Sequence, residues 1–233
     1  MRASDVMTTG VITVSPEMPI LDVAHLLLER RISAVPVVGK DGSLLGIVSE
    51  GDLIHRHENK TERKMRWWQA LVETSGDAAR AYTRAHGRHA GDVMTEKVQT
   101  VTEDTPLSDI ADLLETHRIK RVPVMRGDRV VGIVSRANLL QALVARPEHP
   151  PAESVAVPDD AGIREAIIME IRDNLMGDAE INVVVSNGLV SLWGSIDSEA
   201  QRRAVIIAAE NADGVARVED HLGAPVRGHL TGL

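Results

Sequence analysis

Two pairs of polar residues in this chain have the types and spacing to bind a ligand. Ser49 ends an apolar run and is followed three residues later by Asp52, and Ser135 and Asn138 repeat the pattern. One interpretation is a helix cap that satisfies backbone amides at a helix start. The other is a ligand cradle, with free amides at a helix start and a side-chain acceptor placed to hold a ribose diol. Both interpretations stay open, and the recurrence of the pattern favours the second.

The other candidates for chemistry are weaker. His55-x-His57 and His86-x-x-His89 approach metal-ligand spacing, but the chain has no cysteine to complete a zinc site. We therefore predict surface histidines and no metal site. No Gly-x-Ser-x-Gly elbow, Walker loop or convincing carboxylate pair is present in the sequence. We do not expect an enzyme.

An internal repeat predicts the elements that position the two serines. Asp5-Val-Met-Thr recurs at Asp92 and Val35-Pro-Val at Val122, a shift of 87 that becomes 86 after a Gly/Asp turn. The local patterns predict β-α-β-β-α in each repeat, an α+β or α/β fold. Two such units should pack face to face. In the first repeat the strands are Val11–Val14, Val35–Val38 and Leu44–Val48, and the helices start at Pro19 and near Glu50.

Composition divides the rest of the chain. A basic insert with 8 Lys+Arg and 4 Asp+Glu separates the repeats, and its Trp67 and Trp68 either form a partner contact or cover the repeats' own core. Beyond a Pro-rich linker the patterns predict an α-β-β-α-β domain. Its elements are helices over 159–176 and 198–211, a hairpin of Ile181–Val185 and Leu189–Ile196, and a strand over 215–222. The predicted boundaries are 1–54, first repeat; 55–90, insert; 91–145, second repeat; 146–158, linker; and 159–225, last domain.

The repeated motifs resemble a tandem pair of CBS domains, a Bateman module. Asp-Val-Met-Thr, Val-Pro-Val and Gly-Ile-Val-Ser-x-x-Asp/Asn-Leu occur twice in this order over roughly residues 1–145. The resemblance implies adenosyl-ligand binding between the repeats, homodimers, and sensing of energy state or metabolites for an attached domain. The implied ligands are AMP, ADP, ATP, NAD(H) or S-adenosylmethionine, and no further cofactor is required.

The resemblance also implies site residues. Asp52 and Asn138 would hold ribose hydroxyls beside Ser49 and Ser135, and the carboxylate should hold them better because its hydrogen bonds are charge-assisted. Which repeat supplies the base pocket for which ribose acceptor stays open. The implied adenine contacts are Val11, Thr13, Ile32 and Val35, or Val98, Thr100, Ile119 and Val122. The implied phosphate contacts are Lys120, Arg121, Arg118 and Arg136, with Arg31 as a further candidate.

The last domain is similar to the BON domain. The similarity rests on Ile181-Asn-Val-Val-Val-Ser-Asn-Gly-Leu-Val-Ser-Leu-Trp-Gly-Ser-Ile and on Gly214-Val-Ala-Arg-Val-Glu-Asp-His-Leu. Exported members of that family are associated with phospholipid interaction. Residues 151–233 carry 6 Lys+Arg against 14 Asp+Glu, whereas residues 1–150 carry 20 of each. This acidity makes nucleic acid an unexpected partner and a membrane an unlikely one.

These patterns predict a cytoplasmic regulatory protein. The first residues lack the apolar run of a signal peptide, and no stretch has the length of a membrane span. The CBS pair would sense an adenosyl metabolite, and the BON domain would relay its state to an unidentified protein partner. The alternative is a non-catalytic scaffold with a vestigial cleft, whose BON domain docks membrane lipid or an envelope partner.

Overall fold

The structure is a computed structural model that describes residues 1–54, 86–145, 159–176 and 181–223. The linker 146–158, most of the insert, Trp67, Trp68, His55 and His57 lie outside the described residues. The Cα positions divide the chain into two compact units. The Asp52 unit comprises Val11–Thr100 and Met125–Val130, and the Asn138 unit comprises Met1–Gly10, Val101–Val124 and Val131–Leu233.

The first repeat folds as a helix, an antiparallel strand pair and a short helix. Helix α2 (Ile20–Glu29) begins after Pro19, whose fixed φ suits a helix start, and buries Ile20, Val23 and Leu27. Strands β1 (Ala34–Val38) and β2 (Leu44–Ser49) pair in register from Ala34↔Ser49 to Val38↔Leu44. Helix α3 (Glu50–Ile54) follows. The predicted strand Val11–Val14 is reduced to a single parallel bridge between Val14 and Val37.

The second repeat has the same order with a fuller sheet. Strands β3 (Val101–Thr102), β4 (Arg121–Arg126) and β5 (Arg129–Ser135) form a three-stranded sheet in the order β3-β4-β5. Helix α5 (Leu107–Thr116) buries Ile110 and Leu114, and helix α6 (Arg136–Val144) begins at the cap Ser135. The mixed helix-and-strand fold of the two repeats is therefore confirmed.

The two Asp-Val-Met-Thr motifs exchange places between the repeats. Helix α1 (Ala3–Val6) packs in one hydrophobic cluster with Ile110, Leu114 and Val122 of the second repeat. Helix α4 (Ala90–Val93) packs in the cluster of the first repeat. Sequence similarity alone does not reveal this exchange, because each motif packs with strands of the other repeat.

The last domain has the predicted order of elements. Helix α7 (Asp160–Glu170) continues as a π-helical segment (Ile171–Met176), where one uniform helix was predicted. Strands β6 (Ile181–Ser186) and β7 (Leu189–Ser195) form a hairpin whose turn residues Asn187 and Gly188 have φ of 54° and 74°. Helix α8 (Glu199–Glu210) precedes β8 (Arg217–Gly223), which pairs in parallel with β7. Within the described ranges, no helix is both long and apolar enough to span a bilayer.

Candidate functional site

The first candidate element lies where β2 runs into α3. The backbone N–H and the hydroxyl of Ser49 both donate to Asp52 Oδ2, at 2.8 Å and 2.7 Å. Asp52 Oδ1 has no hydrogen-bond partner among the described residues. Both side chains are half-buried. One carboxylate oxygen is thus held by Ser49, and no described residue binds the other.

The second candidate element repeats this geometry with an amide. The backbone N–H and the hydroxyl of Ser135 donate to Asn138 Oδ1, at 2.8 Å and 2.7 Å. Unlike Asp52, Asn138 also has partners on its other side: Nδ2 donates to Thr8 Oγ1 and to Gln141 Oε1, both at 3.4 Å. Asn138 is only 4% exposed. Both atoms of this amide are therefore engaged within the protein.

Both elements share local hydrogen bonds at a helix start, because the backbone N–H of each serine donates to the side chain three residues later. In the second repeat, Asn138 N–H also donates to Ser135 Oγ at 3.3 Å, which completes a reciprocal capping box. Capping and ligand binding remain compatible at Asp52, because capping uses only one of its oxygens.

The predicted base contacts divide by exposure. Val35 and Val122 are fully buried in the two repeat cores. Their side chains can pack beneath a base site but expose no surface to a bound base. The other six retain exposed surface: Val11, Thr13, Ile32, Val98, Thr100 and Ile119. Val11, Thr13, Ile32, Val35, Val98 and Thr100 belong to the Asp52 unit, and Ile119 and Val122 to the Asn138 unit.

The predicted phosphate contacts belong to the Asn138 unit and flank its element. Lys120, Arg118 and Arg136 are exposed and Arg121 is half-buried. Lys120 accepts a backbone hydrogen bond from Arg136 N–H at 3.1 Å, and Arg136 Nη2 donates to the carbonyl of Leu114 at 3.4 Å. Arg118 has φ of 53° and its repeat equivalent Arg31 has φ of 54°, a left-handed conformation that non-glycine residues seldom adopt. The repeat therefore fixes the backbone of both arginines in the same way.

Comparison with known proteins agrees with this architecture. The CBS domain family matches residues 3–59 and 90–145, and the BON domain family matches residues 159–223. An uncharacterized protein of Methanocaldococcus jannaschii is 30% identical over 165 residues, which are 62% of this chain and 92% of that protein. The chain belongs to the CBS-pair family and carries a BON domain.

Two plant relatives extend the comparison. The chloroplastic CBS domain-containing protein CBSX1 of Arabidopsis thaliana is 31% identical over 135 residues, 55% of this chain and 57% of CBSX1. This chain thus spans little more than half of that relative's length. The crystal structure of CBSX2 in complex with AMP matches 61% of this chain and 96% of the CBSX2 chain, with 26% identity and a TM-score of 0.54.

Three residues of the Asn138 unit that sequence reasoning missed join the BON domain to the second CBS repeat. Asn182 Nδ2 of β6 donates to Gln141 Oε1 of α6 at 2.7 Å. Arg164 of α7 donates from Nε to the carbonyl of Val183 at 2.7 Å and from Nη2 to the carbonyl of Met7 at 2.6 Å. The unbroken run Val183–Val185 is the signal that could have revealed this contact, because a strand buried on both faces reads as continuously apolar.

The histidines predicted to be surface residues offer no metal centre within the described ranges. No group of three or more His, Cys, Asp or Glu residues there could hold an ion. His89 instead pairs with Asp92, whose Oδ2 lies 3.4 Å from Nδ1 and accepts the backbone N–H of His89 and Arg88. Those backbone hydrogen bonds, that of His89 foremost, lower the pKa of Asp92.

Proposed function

We propose that this protein senses an adenosyl metabolite, with AMP as the first candidate. The observation that carries the proposal is the Asp52 carboxylate, which has one oxygen fixed by Ser49 and the other without a partner among the described residues. A carboxylate so oriented accepts ribose hydroxyls through charge-assisted hydrogen bonds. The AMP complex of CBSX2, a similar CBS pair, supports the choice of ligand class.

Within this proposal Asp52 and Ser49 form the stronger ribose element. Val11, Thr13, Ile32, Val98 and Thr100 are the proposed base contacts of the same unit. Ser135 and Asn138 form the weaker ribose element, with Ile119 beside it. Arg118, Lys120, Arg121 and Arg136 are the proposed phosphate contacts, because they carry positive charge close to that element in the sequence and the fold.

Ligand binding would act by shifting populations. A ligand that prefers one arrangement of the protein stabilises that arrangement by its difference in affinity. We propose that the BON domain carries the shift to a protein partner in the cytoplasm and that the chain itself is not catalytic. We also propose a homodimer formed through the CBS pair. Leu140, Leu143 and Val144 of α6 are 63%, 65% and 59% exposed, an apolar surface that self-association would cover.

A thermal-shift panel tests the sensing function directly. Purified protein is melted with AMP, ADP, ATP, NADH and S-adenosylmethionine, beside Asp52→Ala and the exposed control Asp41→Ala. A ligand at about 100 times its Kd adds about 2.7 kcal/mol to the free energy of unfolding. For a chain of this size that stabilisation raises Tm by roughly 5–10 °C. We expect such a rise for one ligand, lost in Asp52→Ala and kept in Asp41→Ala; no rise with any ligand would refute adenosyl sensing.

The scaffold alternative makes an opposite prediction for lipid. Residues 151–233 carry a net charge of −8, which anionic headgroups repel. Liposome co-sedimentation that strengthens with the anionic lipid fraction would favour the scaffold.

A further inference from the structure

The outer face of the BON sheet rests on the second CBS repeat. Directly paired residues share a sheet face, so Asn182, Trp193 and His221 form one row and Val184, Ser191 and Glu219 the next. The core of the BON domain lies on the opposite face, with Val183, Val185 and Leu192. Val184 is fully buried and belongs to the hydrophobic cluster of the second repeat. The β6 side of this outer face is therefore the docking face.

Polar contacts hold the docking face in place. The guanidinium of Arg164 joins the carbonyl of Val183 to that of Met7, a residue of the segment that packs in the second-repeat core. The amide of Asn182 binds Gln141, one turn after Asn138 on α6. Gln141 Oε1 accepts from both asparagines, at 2.7 Å from Asn182 and 3.4 Å from Asn138. Gln141 thus links the BON domain to the ribose position of the second repeat.

The outer face of the BON sheet also carries buried polar atoms without partners, one on β6 and two on β7. Asn182 Oδ1, Ser191 Oγ and Trp193 Nε1 are buried, and none has a hydrogen-bond partner within the described part of the chain. All three side chains lie on the same sheet face. Buried polar groups in permanently packed interiors are almost always paired. Hydration of these three groups when the face separates would offset part of the cost of undocking.

We infer that docking of the BON domain is reversible and competes with a ribose at Asn138. This inference rests on the proposed adenosyl-sensing function. The Asn138 carbonyl oxygen is taken by Ser135, and its amide nitrogen by Thr8 and Gln141. A ribose hydroxyl can therefore bind Asn138 only by displacing Thr8 or Gln141, and displacing Gln141 disturbs the side chain that accepts from Asn182. In the docked state only the Asp52 element is open to ligand.

Equilibrium dialysis with labelled AMP tests the competition on the full chain. At AMP concentrations that saturate the tighter site, we expect wild type to bind about one AMP per chain, because docking lowers the apparent affinity of the second site. Arg164→Ala/Asn182→Ala should undock the BON domain and bind about two. Adding Asn138→Ala to that variant should return the value to about one. Arg172→Ala, an exposed arginine of the same domain, is the matched control and should behave as wild type.

Docking is measured separately by spin labelling. Because the chain has no native cysteine, nitroxides attach only at the introduced cysteines. Nitroxides at Asp112→Cys of α5 and Ile207→Cys of α8, both exposed, report one narrow distance when docked and a broad distribution when undocked. We expect a narrow distribution in wild type, a broad one in Arg164→Ala/Asn182→Ala, and a growing broad component as AMP saturates the second site of wild type.

The outcomes separate the two claims. Undocking without any change in AMP stoichiometry would overturn the competition and leave the sensing function standing. A narrow distance retained in Arg164→Ala/Asn182→Ala would overturn the assignment of the polar contacts as the docking device. AMP binding to none of the chains would overturn the proposed function and the competition with it.

Discussion

Arg164 of α7 donates a 2.6 Å hydrogen bond from Nη2 to the carbonyl of Met7, a residue 157 positions earlier in the chain. Burial lowers the pKa of the Arg164 guanidinium to about 10, and the charge of Asp5 partly opposes this shift. The group therefore remains charged at neutral pH. Burying a charge is costly unless the group keeps its hydrogen bonds. Arg164 keeps one to a carbonyl of the BON domain and one to a carbonyl of the segment packed on the second CBS repeat.

Arg164→Ala should destabilise the Asn138 unit. The substitution removes the hydrogen bonds that the carbonyls of Val183 and Met7 accept from a charged group. It also removes the desolvation cost of that charge, so the net loss of stability should be about 2–4 kcal/mol. Differential scanning calorimetry should record a Tm lower by roughly 5–15 °C. Arg172→Ala is the control, because Arg172 is exposed and pairs only with neighbouring Asp173 at 3.0 Å; we expect a change within about 0.5 kcal/mol. Equal effects of the two variants would contradict the bridging role of Arg164.

Asn138→Asp and Asp52→Asn, which exchange the acid and the amide of the two ribose elements, should differ in their effect on stability. Asn138→Asp puts a carboxylate against Gln141 Oε1 at a site only 4% exposed and should cost about 1–3 kcal/mol of stability. Asp52→Asn keeps an oxygen acceptor for Ser49 and should change stability by less than about 0.5 kcal/mol.

The same pair separates stability from binding. Asp52→Asn removes the charge-assisted acceptor and should weaken AMP binding about 10- to 100-fold in calorimetric titration. Urea denaturation of each variant supplies the stability measurement. A strong loss of stability in Asp52→Asn, or none in Asn138→Asp, would contradict the assignment of Asn138 as the internally engaged residue.

Local patterns were sufficient to predict most elements because they reflect local physics. Pro19 starts α2, the Asn187-Gly188 turn closes the BON hairpin, and Ser198 caps α8 with its hydroxyl accepting from Gln201 N–H at 3.2 Å. Each of these signals acts within a few residues. The strand predicted over Val11–Val14 is too long, because within the described residues only Val14 of this segment pairs with a strand.

Contacts between distant segments were not predictable in this way. Nothing in Asp5-Val-Met-Thr says that it packs on the second repeat, because both motifs and both cores are nearly identical in pattern. Arg164 reads as an ordinary polar helix residue until Met7 is brought beside it. Gln141 gains its role only when Asn182 of another domain reaches α6. The half of the candidate site that depends on tertiary contacts required the structure.

The stability of the Asp52 unit should depend on Asp92 in acid. Backbone N–H groups of His89 and Arg88 lower the pKa of Asp92 in the folded state. A lowered folded pKa contributes stability that is present above the unfolded value, near 3.9, and is lost as pH falls through the folded pKa. Asp92→Asn should therefore flatten the decline of Tm between about pH 5 and 3. Identical profiles of Tm against pH for wild type and Asp92→Asn would show that the charge of Asp92 contributes no stability.

The exposed apolar surface of α6 should mediate self-association. Leu140→Glu/Leu143→Glu places two like charges on residues that are 63% and 65% exposed, so the fold of the monomer should be retained. Light scattering after size exclusion should show a dimer for wild type and a monomer for the variant. Leu21→Glu, an equally exposed leucine of α2 at 67%, is the control. A wild-type monomer, or a variant that stays dimeric, would exclude α6 as the dimer contact.

Gly132 and Met7 should be energetically coupled, which tests the exchanged motifs. A Cβ at Gly132 would overlap Met7 Sδ, and a Cβ at Gly46 would lie 2.6 Å from Met94 Sδ. Gly132→Ala should cost about 1–3 kcal/mol by overpacking. That cost should largely disappear in a Met7→Ala background, giving a coupling energy of about 1–2 kcal/mol in a double-mutant cycle. Gly46→Ala serves as the control, because its clash is with Met94 and Met7→Ala should not relieve it. If Met7→Ala rescued both glycine variants, or neither, the packing of each Asp-Val-Met-Thr motif against the other repeat would be wrong.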